Sequence, residues 1–221
     1  MPIAIAIDGP GGSGKSVIAK KLAKELNYFY IDTGAMYRSV ALYCIEQGIS
    51  LDNTEEIITA LNNISINMEY ENGNLKVFLN GSDVSEKIRL RDAAAGSSKV
   101  AIIPQVREKL VTEQRQMAKN KDVVMDGRDI ASHVLPDAQV KIYLTADVET
   151  RAKRRQLELI EKGISADFEE IKKDIAARDE RDMNREISPL IKTNDAVLVD
   201  TSHMNIEEVL AHITNIVQGV C

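Results

Sequence analysis

Tryptophan is absent from this chain, cysteine occurs only twice, and no apolar run is long enough to cross a bilayer. Cys44 and Cys221 lie far apart and belong to no C-x-x-C or Cys/His cluster. Reduced thiols are therefore expected rather than a disulfide framework or a zinc site, with Cys44 in a helix core. No basic segment followed by a hydrophobic stretch and a small-residue cleavage site opens the sequence, so a cytoplasmic protein with no membrane contact is expected. Basic residues are in the minority. The 28 Lys and Arg against 34 Asp and Glu give a formal net charge of −6, which disfavours a broad nucleic-acid footprint and makes dense local groups of arginine more informative. Internal repeats and low-complexity linkers are also missing, and 221 residues read as one main domain with small appendages. His133, His203 and His212 stand outside the strongest motifs.

What the chain does have is Gly9-Pro10-Gly11-Gly12-Ser13-Gly14-Lys15-Ser16 directly after the apolar run Ile3 to Ile7, matching G-x-x-x-x-G-K-[ST] at every fixed position. Glycines let the backbone turn several N–H groups inward onto polyphosphate, and the helix beginning near Lys15 adds the positive end of its dipole. Lys15 is expected to reach the outer phosphates of ATP, Ser16 to help hold Mg²⁺, and Val17 to border the nucleotide. An accidental match is disfavoured by context: a buried-strand pattern precedes the loop, and Val17, Ile18, Leu22 and Leu26 continue it as an apolar helical stripe.

Downstream, Tyr28 to Ile31 reads as a strand, Asp32-Thr33-Gly34 as a turn, and residues from about Ala35 to Gln47 as a helix. Another helix is expected over Thr54 to Asn62. The period then changes to two. Ile64, Ile66 and Met68, the turn Glu71-Asn72-Gly73-Asn74, then Leu75, Val77 and Leu79 predict a small antiparallel insertion at about 63–85, an appendage on one edge of the core. Helical patterning resumes over Arg89 to Ala101 and, after Pro104, over Gln105 to Ala118. Strands are expected at Asp122 to Asp126, Val140 to Leu144 and Val197 to Asp200, with a closing helix from Asn205 to Val217. Asp126, at a strand's C-terminal edge, is placed to face Mg²⁺ through water.

Between the last two strands lies a charged helical region with Arg151, Arg154 and Arg155, a break at Gly163, then Arg178, Arg181 and Arg185. Projected on a helix, 178, 181 and 185 fall within about 60° and make one cationic edge. A solvated charged face is the ordinary reading of such a run. Beside a phosphate loop, a mobile arginine-bearing lid that neutralises the transferring phosphoryl group is the stronger one. Arg38, Arg89 or Arg91, Arg107 and Arg128 stand outside that region, and Arg128 and Asp129 follow a core strand toward the ligand crevice of a doubly wound sheet. An acceptor that is itself a phosphate fits this inventory. With a second pKa near ~6 its oxygen is already anionic at neutral pH and needs arginine clamps rather than a general base.

Taken together, Asp32-Thr33-Gly34-Ala35-Met36-Tyr37-Arg38, Pro104-Gln105-Val106-Arg107, Asp126-Gly127-Arg128-Asp129 and Arg178-Asp179-Glu180-Arg181-Asp182-Met183-Asn184-Arg185 resemble the bacterial cytidylate kinases nearly end to end. The resemblance implies an α/β P-loop nucleoside monophosphate kinase fold, with a parallel sheet of about five strands, a small antiparallel insertion and a helical lid. The implied regions are a core of 1–34, 119–147 and 186–221, an acceptor region of 35–118, and a lid of 148–185. It further implies transfer of the ATP γ-phosphoryl group to CMP or dCMP by a monomer. Arg38, Arg128 and Arg185 would clamp the acceptor phosphate, with Thr33 and Tyr37 beside the acceptor, while Ser98, Arg107 and Asp129 would face cytosine. Arg178 and Asp182 would lie near the ribose, and Arg154 and Arg181 would serve the ATP phosphates. Thr33 stands where some relatives carry Ser, and its methyl alters the fit. Ordinary roles are open to several of these residues: Asp129 as a helix cap, Ser98 in packing, Asp182 paired with Arg178 or Arg185.

Other classes fit less well. A kinase for UMP, AMP or a small metabolite shares the loop and the arginines. A GTP switch is opposed by Asn120-Lys121-Asp122-Val123, where Val123 occupies the acidic place of N-K-x-D, and a nucleic-acid module by the acidic balance.

Overall fold

The N-terminal apolar run forms β1 (Ala4–Asp8), buried from Ile5 onward on both faces as a central parallel strand requires. In the computed structural model, which describes residues 2–71, 74–161 and 163–220, β1 sits mid-sheet. The expected Asn72-Gly73 turn and the Cys221 thiol lie outside the described residues. With β2 (Phe29–Asp32), β6 (Val123–Gly127), β7 (Val140–Thr145) and β8 (Val197–Asp200) it makes a five-stranded sheet in the order β2-β6-β1-β7-β8. Strand register aligns two key loops. Asp8 lies opposite Gly127 on one side and Tyr143 on the other, so the loop after β1 and the Arg128-Asp129 segment after β6 leave the same sheet edge.

The chain divides into two compact units, Met1–Tyr30 with Ala118–Cys221, and Ile31–Met117. In the first, α1 (Lys15–Leu26) buries Ile18, Ala19, Leu22 and Ala23 and packs on β6 and on α8 (Ile206–Gln218). Fully burying each large aliphatic residue of that stripe is worth roughly 1.5–3 kcal/mol. A capping box between Asn205 and Glu208 starts α8, one residue after its expected beginning. The charged region forms α6 (Val148–Glu161) and α7 (Phe168–Asn184), which pack on each other. Gly163, with φ at 72°, ends α6 as expected: its N–H donates to Ile160 O and that of Ile164 to Leu159 O, the paired bonds of a Schellman cap.

The second unit holds α2 (Thr33–Glu46), α3 (Thr54–Ala60), the three-stranded sheet of β3 (Ile66–Glu71), β4 (Asn74–Leu79) and β5 (Ser82–Asp83), then α4 (Arg91–Val100) and most of α5 (Pro104–Ala118). Within this unit the antiparallel segment packs its β4 on α2. Cys44 is buried in α2, as expected. That helix begins two residues earlier than the sequence suggests. The Asp32 carboxylate accepts the Ala35 N–H at 2.8 Å, and this cap draws Thr33 and Gly34 into the first turn instead of leaving them outside it.

Candidate active site

The phosphate loop is held by its surroundings. Gly9 has φ at +146°, and a Cβ there would meet the Leu144 carbonyl oxygen of β7 at 2.0 Å. A Cβ on Gly12, at φ +75°, would lie 3.3 Å from Arg151 Cβ. Gly9→Ala must push strand backbone aside, and we expect it to lower the unfolding free energy by about 3 kcal/mol or more, measured by urea denaturation. A loss below about 1 kcal/mol would show that β7 yields easily.

Lys15 is buried at the start of α1, where Nζ donates to Pro10 O at 2.7 Å and to Ser13 Oγ at 3.4 Å. Burial, and then the nearby Arg128, hold its ammonium well below the usual lysine range, while Asp126 pulls the other way. Ser16 Oγ donates to Asp126 Oδ2 at 2.8 Å, and Tyr30 OH donates to Asp126 Oδ1 at 2.8 Å. Hydroxyl and carboxylate thus sit together at the loop's end, as a hard cation shared with phosphate oxygens requires. Val17 is exposed beside them.

Asp8, the last residue of β1, is buried and accepts the N–H groups of Ile130 at 2.9 Å and Ala131 at 2.7 Å. It joins the loop's strand to the π-helical turn Ile130–Val134 that follows Asp129. Burial pushes its carboxyl from 3.8 up to about 6, against the pull of those two donors. The folded state therefore favours protonated Asp8. Its stabilising contribution is complete below the unfolded value of 3.8 and is lost as the pH rises through about 6. Relative to wild type, Asp8→Asn should gain up to roughly 3 kcal/mol of stability between about pH 4 and pH 7. Urea unfolding at the two pH values checks this, and a pH-independent difference between the proteins would count against it.

The arginines of this unit sort by partner. Arg128 Nε donates to Asp182 Oδ2 on α7 at 2.9 Å, and Arg185 Nη2 lies 3.3 Å from Asp129 Oδ1. Asp182 thus bonds a residue far off in sequence, with Arg178 and Arg185 adding positive charge near it, and Asp129 stands at the N-cap position without a side-chain cap bond. Arg178 approaches the loop, its Cδ 3.8 Å from where a Gly11 Cβ would be. Arg154 donates to Thr201 Oγ1 at 3.0 Å and to Thr201 O at 2.7 Å; the same hydroxyl lies 3.5 Å from Ser13 O in the loop. The expected single edge of 178, 181 and 185 does not form. Helix α7 ends at Asn184, Arg185 is extended at φ −63° and ψ 141°, and Arg181 is exposed.

A family model described as cytidylate kinase matches residues 5–219 of this chain. The chain belongs to the cytidylate kinase family. A cytidylate kinase of Bacillus cereus (strain B4264) is 50% identical over 99% of this chain and 97% of its own length. One of Oceanobacillus iheyensis is 49% identical over 96% of this chain and 93% of its own length. Among solved structures, an uncharacterised protein of Eubacterium ventriosum aligns with a TM-score of 0.56 at 15% identity, and a shikimate kinase of Bacteroides thetaiotaomicron with 0.50 at 12%; each alignment covers 98% of both chains. At such identities these two structures speak for the fold, an α/β P-loop kinase fold.

For a cytidylate kinase, the second unit carries its own group of polar residues. Arg38 Nη2 donates to Asp32 Oδ2 at 2.9 Å, and the Arg107 guanidinium lies 5.7 Å from the Tyr37 ring centre while Nη1 donates to Ala101 O at 3.3 Å. Thr33 is buried at the start of α2, and Ser98 is half-buried on α4. Asp8, Tyr30 and Thr201 are site neighbours that sequence reading passes over, and Arg151 is one it places only within the charged region. Among the described residues, no three His, Cys, Asp or Glu side chains gather as a metal site, and no helix is long and apolar enough to cross a membrane.

Proposed function

We propose that this chain transfers the γ-phosphoryl group of ATP to CMP or dCMP, giving ADP and CDP or dCDP. The observation that carries this reading is the family match from residue 5 to 219 on a chain whose Lys15, Ser16 and Asp126 meet where Arg128 and Asp129 leave the sheet. Inward N–H groups from Gly9 to Ser16 take the donor phosphates, and Lys15 exchanges its bonds to Pro10 and Ser13 for phosphate oxygens. Ser16 directly, and Asp126 through water, fit Mg²⁺, which when bound would neutralise β- and γ-phosphate oxygens. Arg38, Arg128 and Arg185 hold the acceptor phosphate, and Arg178 and Asp182 the ribose. Thr33 and Tyr37 border the acceptor, and Ser98, Arg107 and Asp129 read the base. Arg154 and Arg181 serve the donor phosphates from a lid of 148–185, and the bonds of Arg154 to Thr201, beside Ser13 O, support that role. The acceptor oxygen is already an anion, so positioning and charge neutralisation supply the catalysis. The proposal extends to a cytoplasmic monomer that binds neither nucleic acid nor membrane; the excess of acidic residues supports the part that concerns nucleic acid.

Initial ADP production from ATP and Mg²⁺ with CMP, dCMP, UMP and AMP tests the assignment. CMP and dCMP are expected to lead the panel, and a preference for UMP or AMP would overturn it.

A further inference from the structure

Arg151, near the start of α6, has an arrangement that the proposed chemistry does not use. Its guanidinium is buried and its bonds run to three separate elements: Nε to Ala146 O after β7 at 2.9 Å, Nη1 to Gly11 O in the phosphate loop at 3.0 Å, and Nη1 to Asp179 Oδ2 on α7 at 2.5 Å. Asp179 is equally buried. Both charges are thus out of water and compensate each other, which removes Arg151 as a ready ligand for solvent-borne phosphate. One side of Asp179 is Arg178, which approaches Gly11; three residues on is Asp182, which bonds Arg128. A single rigid, planar fork therefore grips the donor loop by a backbone oxygen and the acceptor-bearing helix by a carboxylate. Gly12 shows how closely the parts fit, since even one added methyl there would press on Arg151.

We propose that Arg151 is a positioning residue coupling the two substrates: by holding Gly11 O and the Asp179 carboxylate together, it makes the loop arrangement that binds the donor favour the α7 arrangement that binds the acceptor. Coupling of this kind is reciprocal, and its ordinary size is about 5- to 150-fold in affinity. The proposal rests on the reading of Gly9–Ser16 as the donor site and of α7 as part of the acceptor site.

The test is calorimetric titration of CMP into the full chain with and without a saturating non-hydrolysable ATP analogue, alongside thermal unfolding. In wild type the analogue should tighten CMP binding at least about 5-fold. Arg151→Met combined with Asp179→Leu replaces the buried pair by apolar groups of similar size, an exchange that such pairs often tolerate in stability. That double variant should stay folded, bind each nucleotide alone, and show coupling reduced to less than about 2-fold. Arg151→Lys keeps the charge beside Asp179 but lacks the fork, and should also lose most of the coupling; it carries the test if the double variant does not fold. Full coupling in a folded variant, or no coupling in wild type, overturns the proposal, as does a lowered melting temperature with coupling intact. A wild type that does not bind CMP would instead overturn the acceptor assignment, and the same comparison would then be read with the monophosphate it phosphorylates.

Discussion

Replacing Lys15 by Met should reduce kcat by about 10³-fold or more while leaving the protein at least as stable as wild type. The two halves of that result have one cause. Lys15 is buried, with Arg128 and Arg178 adding positive charge around it, and its pKa is held well below the usual lysine range. Without a polyphosphate its ammonium is poorly compensated, because the Pro10 carbonyl and the Ser13 hydroxyl return only part of the lost hydration. A lowered lysine pKa means that the fold disfavours the charged form, so the charged side chain costs stability at neutral pH; Met fills the same channel without that cost. ATP reverses the balance by bringing negative charge to the ammonium. Donor at 100 times its dissociation constant should stabilise wild type by about 2.7 kcal/mol, seen as a rise in melting temperature, and the Met variant should show a much smaller rise. Wild-type turnover in the variant would remove Lys15 from the mechanism. A large fall in its ligand-free melting temperature would show that the lysine is structural first.

Features legible in the sequence were those written locally. The phosphate loop, the strand ending near Asp126, the break at Gly163 and the closing helix near Asn205 each rest on a few consecutive residues whose backbone demands are one-dimensional, and each recurs in the structure. The features that were not legible depended on partners far away. Asp8 looks like an ordinary residue between a strand and a glycine, yet its carboxylate serves two N–H groups more than a hundred residues on, inside a π-helical turn that has no sequence signature. Asp182 offered local arginines at helical spacing, but the sheet edge brings it Arg128 as well. Helical projection failed at Arg185 because α7 had already ended, and the extended backbone there turns the guanidinium toward Asp129. Arg151 and Arg154 are equivalent as letters. Only the fold distinguishes them, one buried against the loop and Asp179, the other half-buried against Thr201.

Asp129 is where the second large effect is expected. Cytosine presents an N4 amino donor beside the N3 and O2 acceptors, whereas uracil presents O4 in the amino position. An ionised carboxylate accepts from N4 but opposes O4, and a buried polar contact left unpaired discriminates far more strongly than a difference in shape. Asp129 is buried, and Arg185 Nη2 stands 3.3 Å from its Oδ1. Asp129→Ala would also strip a buried arginine of its counter-charge, at a cost of about 3–5 kcal/mol, and would confuse specificity with stability. Asp129→Asn is the sharper variant. It keeps an oxygen for Arg185 and can turn its amide N–H₂ toward the base, where it repels N4 and suits O4. Its kcat/KM for CMP should fall by about 10³-fold, and for UMP should fall little or rise, so that the preference between them narrows or inverts. The KM for ATP should stay within about 3-fold, since the donor loop is untouched. Equal losses toward CMP and UMP would place Asp129 in the support of Arg185 rather than at the base, because a weakened phosphate clamp cannot tell one pyrimidine from another.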